Sequence, residues 1–358
     1  MSASSIPIKN IYYLFCYAWN RFEEALPVSV GGATSPDLPN LLARVMLSGV
    51  RRIMRRGLDR AYGYQEQELS TVRGRIEPNA TLRLQAKKAR RLQCEFDELS
   101  HDLLHNRVLK SSLRRLARAP TIDRDLAHEL EMIARQMPHV SEIWLDRSAF
   151  ARVQLHRNNA HYRFLMKIAE LAFECLLPDP NGSGFVFHDV TRDERKMARV
   201  FEEFVRNFYR AEQQEFRVEP LTINWDATRL SGGFGRLPNM RVDVFLRAKD
   251  RRIIIDTKYY AEALQSYYGS KSFHSENLYQ LFSYLRNAAG NSSEFAGAEG
   301  MLLYPCVGTS LNETFSVQGH PVTVATVDLS APWPAVKAQL LNLLTPPNPP
   351  EALETEMS

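Results

Sequence analysis

The stretch RVDVFLRAKDRRIIIDTKYY, residues 241–260, decides the reading of this chain. Two apolar, β-branched runs flank the polar turn AKDR, which is the pattern of a β-hairpin. A two-residue loop at Lys249 and Asp250 and a four-residue loop from Ala248 to Arg251 give the same register. In either case Asp243 stands opposite Asp256, with Cβ atoms about 4.5–5.5 Å apart. Like charges opposed in a sheet are destabilising, and a divalent cation between them removes the conflict. Hard oxygen ligands of this number suit Mg²⁺ or Mn²⁺. Side chains alternate along a strand, so Lys258 shares the face of Asp256, where its ammonium can steady an attacking water or a phosphate charge. Thr257 points the other way by the same rule, leaving its backbone carbonyl for the metal. Two carboxylates, a metal and a lysine on one hairpin are the parts of a phosphodiester hydrolase. The plainer reading is a surface ion pair at a strand end.

Two helices bracket the hairpin. In HSENLYQLFSYLRN, residues 274–287, Asn277, Gln280, Tyr284 and Asn287 recur at steps of three and four and share a face, while Leu278, Leu281 and Phe282 point toward a core. A polar Gln-x-x-x-Tyr face suits a phosphate backbone, although a solvated helix face has the same composition. In MARVFEEFVRNFYR, residues 197–210, Met197, Val200, Phe201, Phe204, Val205 and Phe208 form an apolar stripe. Glu202 and Glu203 flank it about equally, and either can reach a metal from its edge.

At 358 residues the chain is long enough for two domains. PDPNGSG, residues 178–184, is its strongest break. The expected organisation is an α+β domain over residues 1–180, an α/β domain with a mixed sheet flanked by helices over residues 185–346, and a disordered, proline-rich acidic tail over residues 347–358. The N-terminal region predicts a buried aromatic helix with Ile11, Leu14, Phe15, Ala18 and Trp19 at helical spacing. A second helix over residues 41–60 has Leu42, Met46, Val50 and Ile53 on one face. Residues 65–81 read as short strands or a loop, and helical periodicity returns near residues 103–116 and 162–177. Arg73, Arg75, Arg83, Lys87, Lys88, Arg90 and Arg91 face Glu77 as the only acid in their run, which suits DNA phosphates or a ring pore as well as a solvated loop.

A hydrophobic content of 44%, a charged content of 24% and a formal net charge of +4 are those of an ordinary globular protein, and the charge alone does not require nucleic acid. Cys16, Cys94, Cys175 and Cys306 are scattered, without zinc spacing or a disulfide framework. The N-terminus lacks the marks of a signal peptide, and IYYLFCYAW is too short to span a bilayer. The expectation is a cytoplasmic protein with no membrane partner.

The order helix with Glu, strand with Asp243, strand with Asp256-x-Lys258, helix with Gln280-x-x-x-Tyr284 resembles the PD-(D/E)xK nuclease core, with Val242 in the place of the proline. IPIKNIYYLFCYAW, VRGRIEPNAT, LLHNRVLKSSL, IDTKYY, KSFHSENLYQLFSYL and LLYP extend the likeness over nearly the whole chain except its tail. Together they are similar to McrC, the family of nuclease subunits of McrBC modification-dependent (5-methylcytosine) restriction systems. The resemblance implies a DNA endonuclease with Asp243, Asp256, Lys258, Gln280 and Tyr284 as catalytic residues. It implies a Mg²⁺ or Mn²⁺ site made by Asp243, Asp256, the Thr257 carbonyl and Glu202. It also implies a separate McrB-like AAA+ GTPase hexamer that recognises double-stranded DNA with modified cytosine, and on which the N-terminal part docks and stimulates GTP hydrolysis. No Walker A pattern occurs in this chain, in keeping with that division of labour. The competing reading is a nuclease-fold adaptor that activates a motor without cutting. A third, a stand-alone nuclease acting on RNA or damaged DNA, is disfavoured by the N-terminal phrases.

Overall fold

The structure, a computed structural model, describes residues 6–20, 37–86, 90–137, 139–178, 185–187, 193–232, 237–260, 275–308 and 311–346. The chain divides into two units, one of Met1–Ser29 with Val190–Ser358 and one of Val30–Asp189.

Helix α1 (Ile8–Ala18) opens the first unit. Ile11, Leu14, Phe15 and Ala18 are buried at the expected spacing. The chain then builds the second unit. Helix α2 (Leu38–Arg56) starts where the Asp37 carboxylate accepts the Asn40 amide at 3.0 Å. It stops at Gly57, whose φ of 93° other residues rarely adopt. Strands β1 (Ala61–Leu69), β2 (Arg75–Ile76) and β3 (Leu92–Ser100) form an antiparallel sheet in the order β1-β3-β2, with helix α3 (Pro78–Ala86) between the second and third. The expected short strands or loop of residues 65–81 are thus the end of a nine-residue strand, a short edge strand and the start of a helix. Helices α4 (Leu104–Ala117), α5 (Arg124–Arg135), α6 (Arg147–Ala151) and α7 (Arg163–Cys175) complete the core with α2, through buried Met46, Val50, Leu109, Leu113, Leu130 and Ile168. Strands β4 (Leu176–Pro178) and β5 (Phe185–Phe187) pair after them.

The first unit resumes with helix α8 (Glu194–Glu212). Strands β6 (Arg217–Glu219), β7 (Thr222–Ile223), β8 (Met240–Arg241), β9 (Val244–Arg247) and β10 (Arg252–Thr257) follow. Helix α9 (Ser275–Asn291), strands β11 (Glu299–Cys306), β12 (Asn312–Val317) and β13 (His320–Asp328), and helix α10 (Trp333–Asn342) end it. Six strands form one mixed sheet, β12-β13-β11-β10-β9-β6. β10, β11 and β13 run parallel, and the outer pairings are antiparallel. A parallel β10–β11 step needs a crossover, and α9 supplies it. Leu281 and Leu285 of α9 pack over Gly300, where an added Cβ would meet Leu285 at 2.9 Å, so the helix lies close on the sheet. Ile254, Leu302, Tyr304 and Val324 form the sheet side of that core. This is the mixed α/β architecture expected from the sequence.

The expected boundary needs one correction. Residues 1–180 are not one body, because α1 belongs with the C-terminal unit. The Tyr17 ring lies 5.9 Å from Phe204, 5.5 Å from Phe208 and 5.5 Å from Trp333. Asn207 donates to the carbonyls of Tyr17 and Ala18, both at 3.0 Å, satisfying the end of the helix. Asn10, 3% exposed, donates to Leu329 and Ala331 at 2.8 Å. Helical periodicity shows that α1 has a buried face but not what covers it, and the cover comes from nearly 200 residues away. The expected tail, residues 347–358, and most of the break at residues 178–184 lie outside the described residues. Among the described residues no helix is long and apolar enough to cross a membrane.

Candidate active site

The hairpin register is the one the sequence dictates. Arg247 pairs with Arg252, Leu246 with Ile253, Phe245 with Ile254 and Val244 with Ile255. The ladder stops one step short of Asp243 and Asp256. Asp243 lies at a bend before β9, and its Oδ2 accepts both the Thr257 amide at 2.8 Å and the Thr257 hydroxyl at 2.9 Å. Thr257 therefore does not turn its side chain wholly away from Asp243, as strict alternation predicts. Thr257 is still paired with Leu303 in the β10–β11 ladder, but Asp243 lies at a bend outside the β9–β10 ladder, and its carboxylate reaches the Thr257 hydroxyl.

Asp256 ends the run of three isoleucines and is 1% exposed. Its Oδ2 lies 2.8 Å from Lys258 Nζ, a buried ion pair. Burial pushes the Asp256 carboxyl up to about 6; Lys258 opposes the rise, and Asp243 and Glu202 add to it. Burial works against the Lys258 charge, but Asp256 and Asp243 outweigh it and hold the ammonium above the ordinary lysine range.

Helix α9 completes the constellation. Lys258 Nζ donates to Gln280 Oε1 at 2.9 Å, and Gln280 Nε2 donates to the Tyr284 hydroxyl at 2.6 Å. That hydroxyl donates to the Arg241 carbonyl at 3.4 Å, at the end of β8. Burial raises the Tyr284 phenol above its usual range, against the Gln280 bond and with a contribution from the two aspartates. The chain Asp256–Lys258–Gln280–Tyr284 leaves the lysine held on both sides. The other residues of the supposed polar face go elsewhere. Asn277 is buried and donates to the Tyr304 hydroxyl at 3.0 Å, while Asn287 accepts the Asp226 amide at 2.8 Å.

Of the two glutamates, Glu202 is near enough to act on Asp256. Its Oε1 accepts from Arg206, one turn along α8. Arg206 also donates through Nε and Nη2 to the Asp243 carbonyl, at 2.9 and 2.6 Å. Sequence reasoning does not single out Arg206; its i+4 spacing from Glu202 is the one signal available. Among the described residues no group of three or more His, Cys, Asp or Glu side chains is placed to hold a metal ion. The groups offered to a divalent cation here are the Asp243 and Asp256 carboxylates, and the buried Asp256 carboxylate, whose charge burial, Asp243 and Glu202 all disfavour, is the observation that favours such an occupant.

In the other unit, Lys87 and Lys88 of the basic run lie outside the described residues. Arg73 is 4.0 Å from the Phe96 ring centroid and 3.1 Å from Glu98, and Arg91 lies 3.9 Å from Glu68. Arg75, Arg83 and Arg90 are exposed.

The sequence matches, over residues 9–305, the family described as McrBC 5-methylcytosine restriction system component. The type IV methyl-directed restriction enzyme EcoKMcrBC of Escherichia coli K12 is 29% identical over 344 residues, 96% of this chain and 98% of that relative. A solved half-complex from a tetradecameric assembly of Thermococcus gammatolerans McrB AAA+ hexamers with bound McrC shares the fold. Its TM-score is 0.56 at 19% identity, over 94% of this chain and 76% of that one.

Proposed function

The chain belongs to the McrBC 5-methylcytosine restriction system component family, and from that premise we propose that it is the DNA-cleaving subunit of such a system. It hydrolyses phosphodiester bonds at Asp243, Asp256 and Lys258 with Mg²⁺, or Mn²⁺, as cofactor. The observation that carries this reading is the Asp256 carboxylate, 1% exposed, near enough to Asp243 for that carboxylate to disfavour its charge, and met by the Lys258 ammonium at 2.8 Å. Asp243, Asp256 and the Thr257 carbonyl would hold the cation. When bound, it supplies a Lewis acid and lowers the pKa of a water. Thr257 orients Asp243 through two hydrogen bonds. Lys258 places a fixed positive charge where negative charge develops on the phosphate. Gln280 and Tyr284 hold that ammonium in place, so it costs no reorganisation during the reaction.

The Thermococcus relative was solved on McrB AAA+ hexamers. We propose a partner of the same kind for this chain, with GTP hydrolysis and recognition of modified cytosine in double-stranded DNA residing in that partner. The test is to mix the full chain with its AAA+ partner, Mg²⁺, GTP and methylated or unmethylated duplex DNA. Cleavage of the methylated duplex that depends on this chain supports the proposal. Stimulated GTP hydrolysis without cleavage would instead identify an adaptor.

A further inference from the structure

Glu202 is a candidate metal ligand by sequence, yet its carboxylate is engaged by Arg206. Both side chains are largely sheltered, at 27% and 23% exposure. The same guanidinium places two donors on the Asp243 carbonyl. The β9–β10 ladder ends at Val244 and Ile255, so that carbonyl has no partner in the ladder, and a sheltered carbonyl requires one. The Asp243 carboxylate is tied separately to Thr257. Asp243 is thus gripped twice, by Arg206 at its backbone and by Thr257 at its side chain, and its carboxylate cannot swing away from Asp256 without breaking one grip. A planar guanidinium spans two acceptors in a way that an ammonium does not.

We propose that Arg206 is a positioning residue for the candidate metal centre. It fixes the bend that aims Asp243 at Asp256, and it keeps Glu202 as its own counter-ion instead of a ligand. This inference rests on the reading of Asp243 and Asp256 as metal ligands. Partners that orient a ligand typically account for 10–100-fold in metal affinity.

The experiment titrates Mn²⁺ into the full-length protein and follows the free-ion electron paramagnetic resonance signal, with circular dichroism as a check on folding. Glu202→Gln keeps an acceptor for Arg206 and binds Mn²⁺ close to wild type. The double variant Arg206→Met/Glu202→Gln has the net charge of wild type but no grip on Asp243, and it binds about tenfold more weakly. Arg206→Lys keeps the charge without the two-donor span and falls between them; it carries the test alone should the double variant not fold. A tenfold loss in Glu202→Gln would make Glu202 a ligand and overturn the proposal, as would wild-type affinity in the double variant or in Arg206→Lys. Asp256→Ala separates the two levels of the argument. If it binds Mn²⁺ as wild type does, the metal reading itself fails; if it loses binding while the Arg206 variants keep theirs, only the role of Arg206 falls.

Discussion

Asp256 is asked to keep a negative charge where water does not reach it. Its carboxyl is pushed up to about 6, chiefly by burial, whereas in the unfolded chain it titrates near 3.9. The folded state therefore holds the proton more tightly. Below the unfolded value the group costs nothing; stability then falls as pH rises toward 6, and the cost is complete above it. Asp256→Asn should accordingly stabilise the metal-free protein at pH 8 by roughly 1–3 kcal/mol, with the gain vanishing near pH 4. Urea denaturation at the two pH values measures it, and equal stability of variant and wild type at pH 8 would contradict the account of the burial. Lys258 has the complementary task. It touches Asp256 and Gln280 but is no metal ligand, so Lys258→Ala should lose most turnover, about 100-fold or more, while still binding Mg²⁺. Collapse of Mg²⁺ affinity in calorimetry would show that the lysine holds the site together instead. At this scale the sequence discloses Asp243, Asp256 and Lys258 because strand alternation and a short polar turn determine a register. It does not disclose the Thr257 hydroxyl or Arg206, since both act at a bend where no periodic rule applies.

The elements carry these residues to one place through two contacts of different legibility. Helix α9 lies between β10 and β11 in the chain, and Gln280 and Tyr284 meet Lys258 at the end of the hairpin, as their spacing already hints. Helix α1 is the contrary case. Its buried face is plain from Ile11, Leu14, Phe15 and Ala18, but Phe204, Phe208 and Trp333, which meet its Tyr17 ring, lie far along the chain. Local pattern has no means of naming a partner at that separation. The joint has a specific lock, Asn207, which is 8% exposed and donates to two α1 carbonyls. Asn207→Ala would take the Asn207 donor from the Ala18 carbonyl, while the Tyr17 carbonyl keeps the Asn20 amide, and should cost about 1–3 kcal/mol. Hydrogen exchange should then show faster opening across α1 and α8 with no change in α4 of the other unit. Unchanged protection in α1 would mean that the helix is not held there.

For the whole molecule, the candidate site and the basic run fall in different units of one chain. Under the proposed function, cleavage belongs to one unit and motor stimulation to the other. Asp256→Ala should bind the AAA+ partner and raise its GTP hydrolysis as wild type does. Charge reversal at Lys87, Lys88, Arg90 and Arg91 together should weaken that stimulation while the aspartates and Lys258 remain in place. Steady-state GTPase rates decide both, and loss of stimulation in Asp256→Ala would contradict the separation. Cleavage of methylated duplex DNA with partner, GTP and Mg²⁺ present decides whether these aspartates cut DNA. In that assay wild type is compared with Asp243→Asn and Asp256→Asn, which keep the shape of the site and remove one ligand charge each. Both variants should fold, stimulate the motor and leave the DNA intact; full cleavage by either one would rule out a nuclease site at these aspartates.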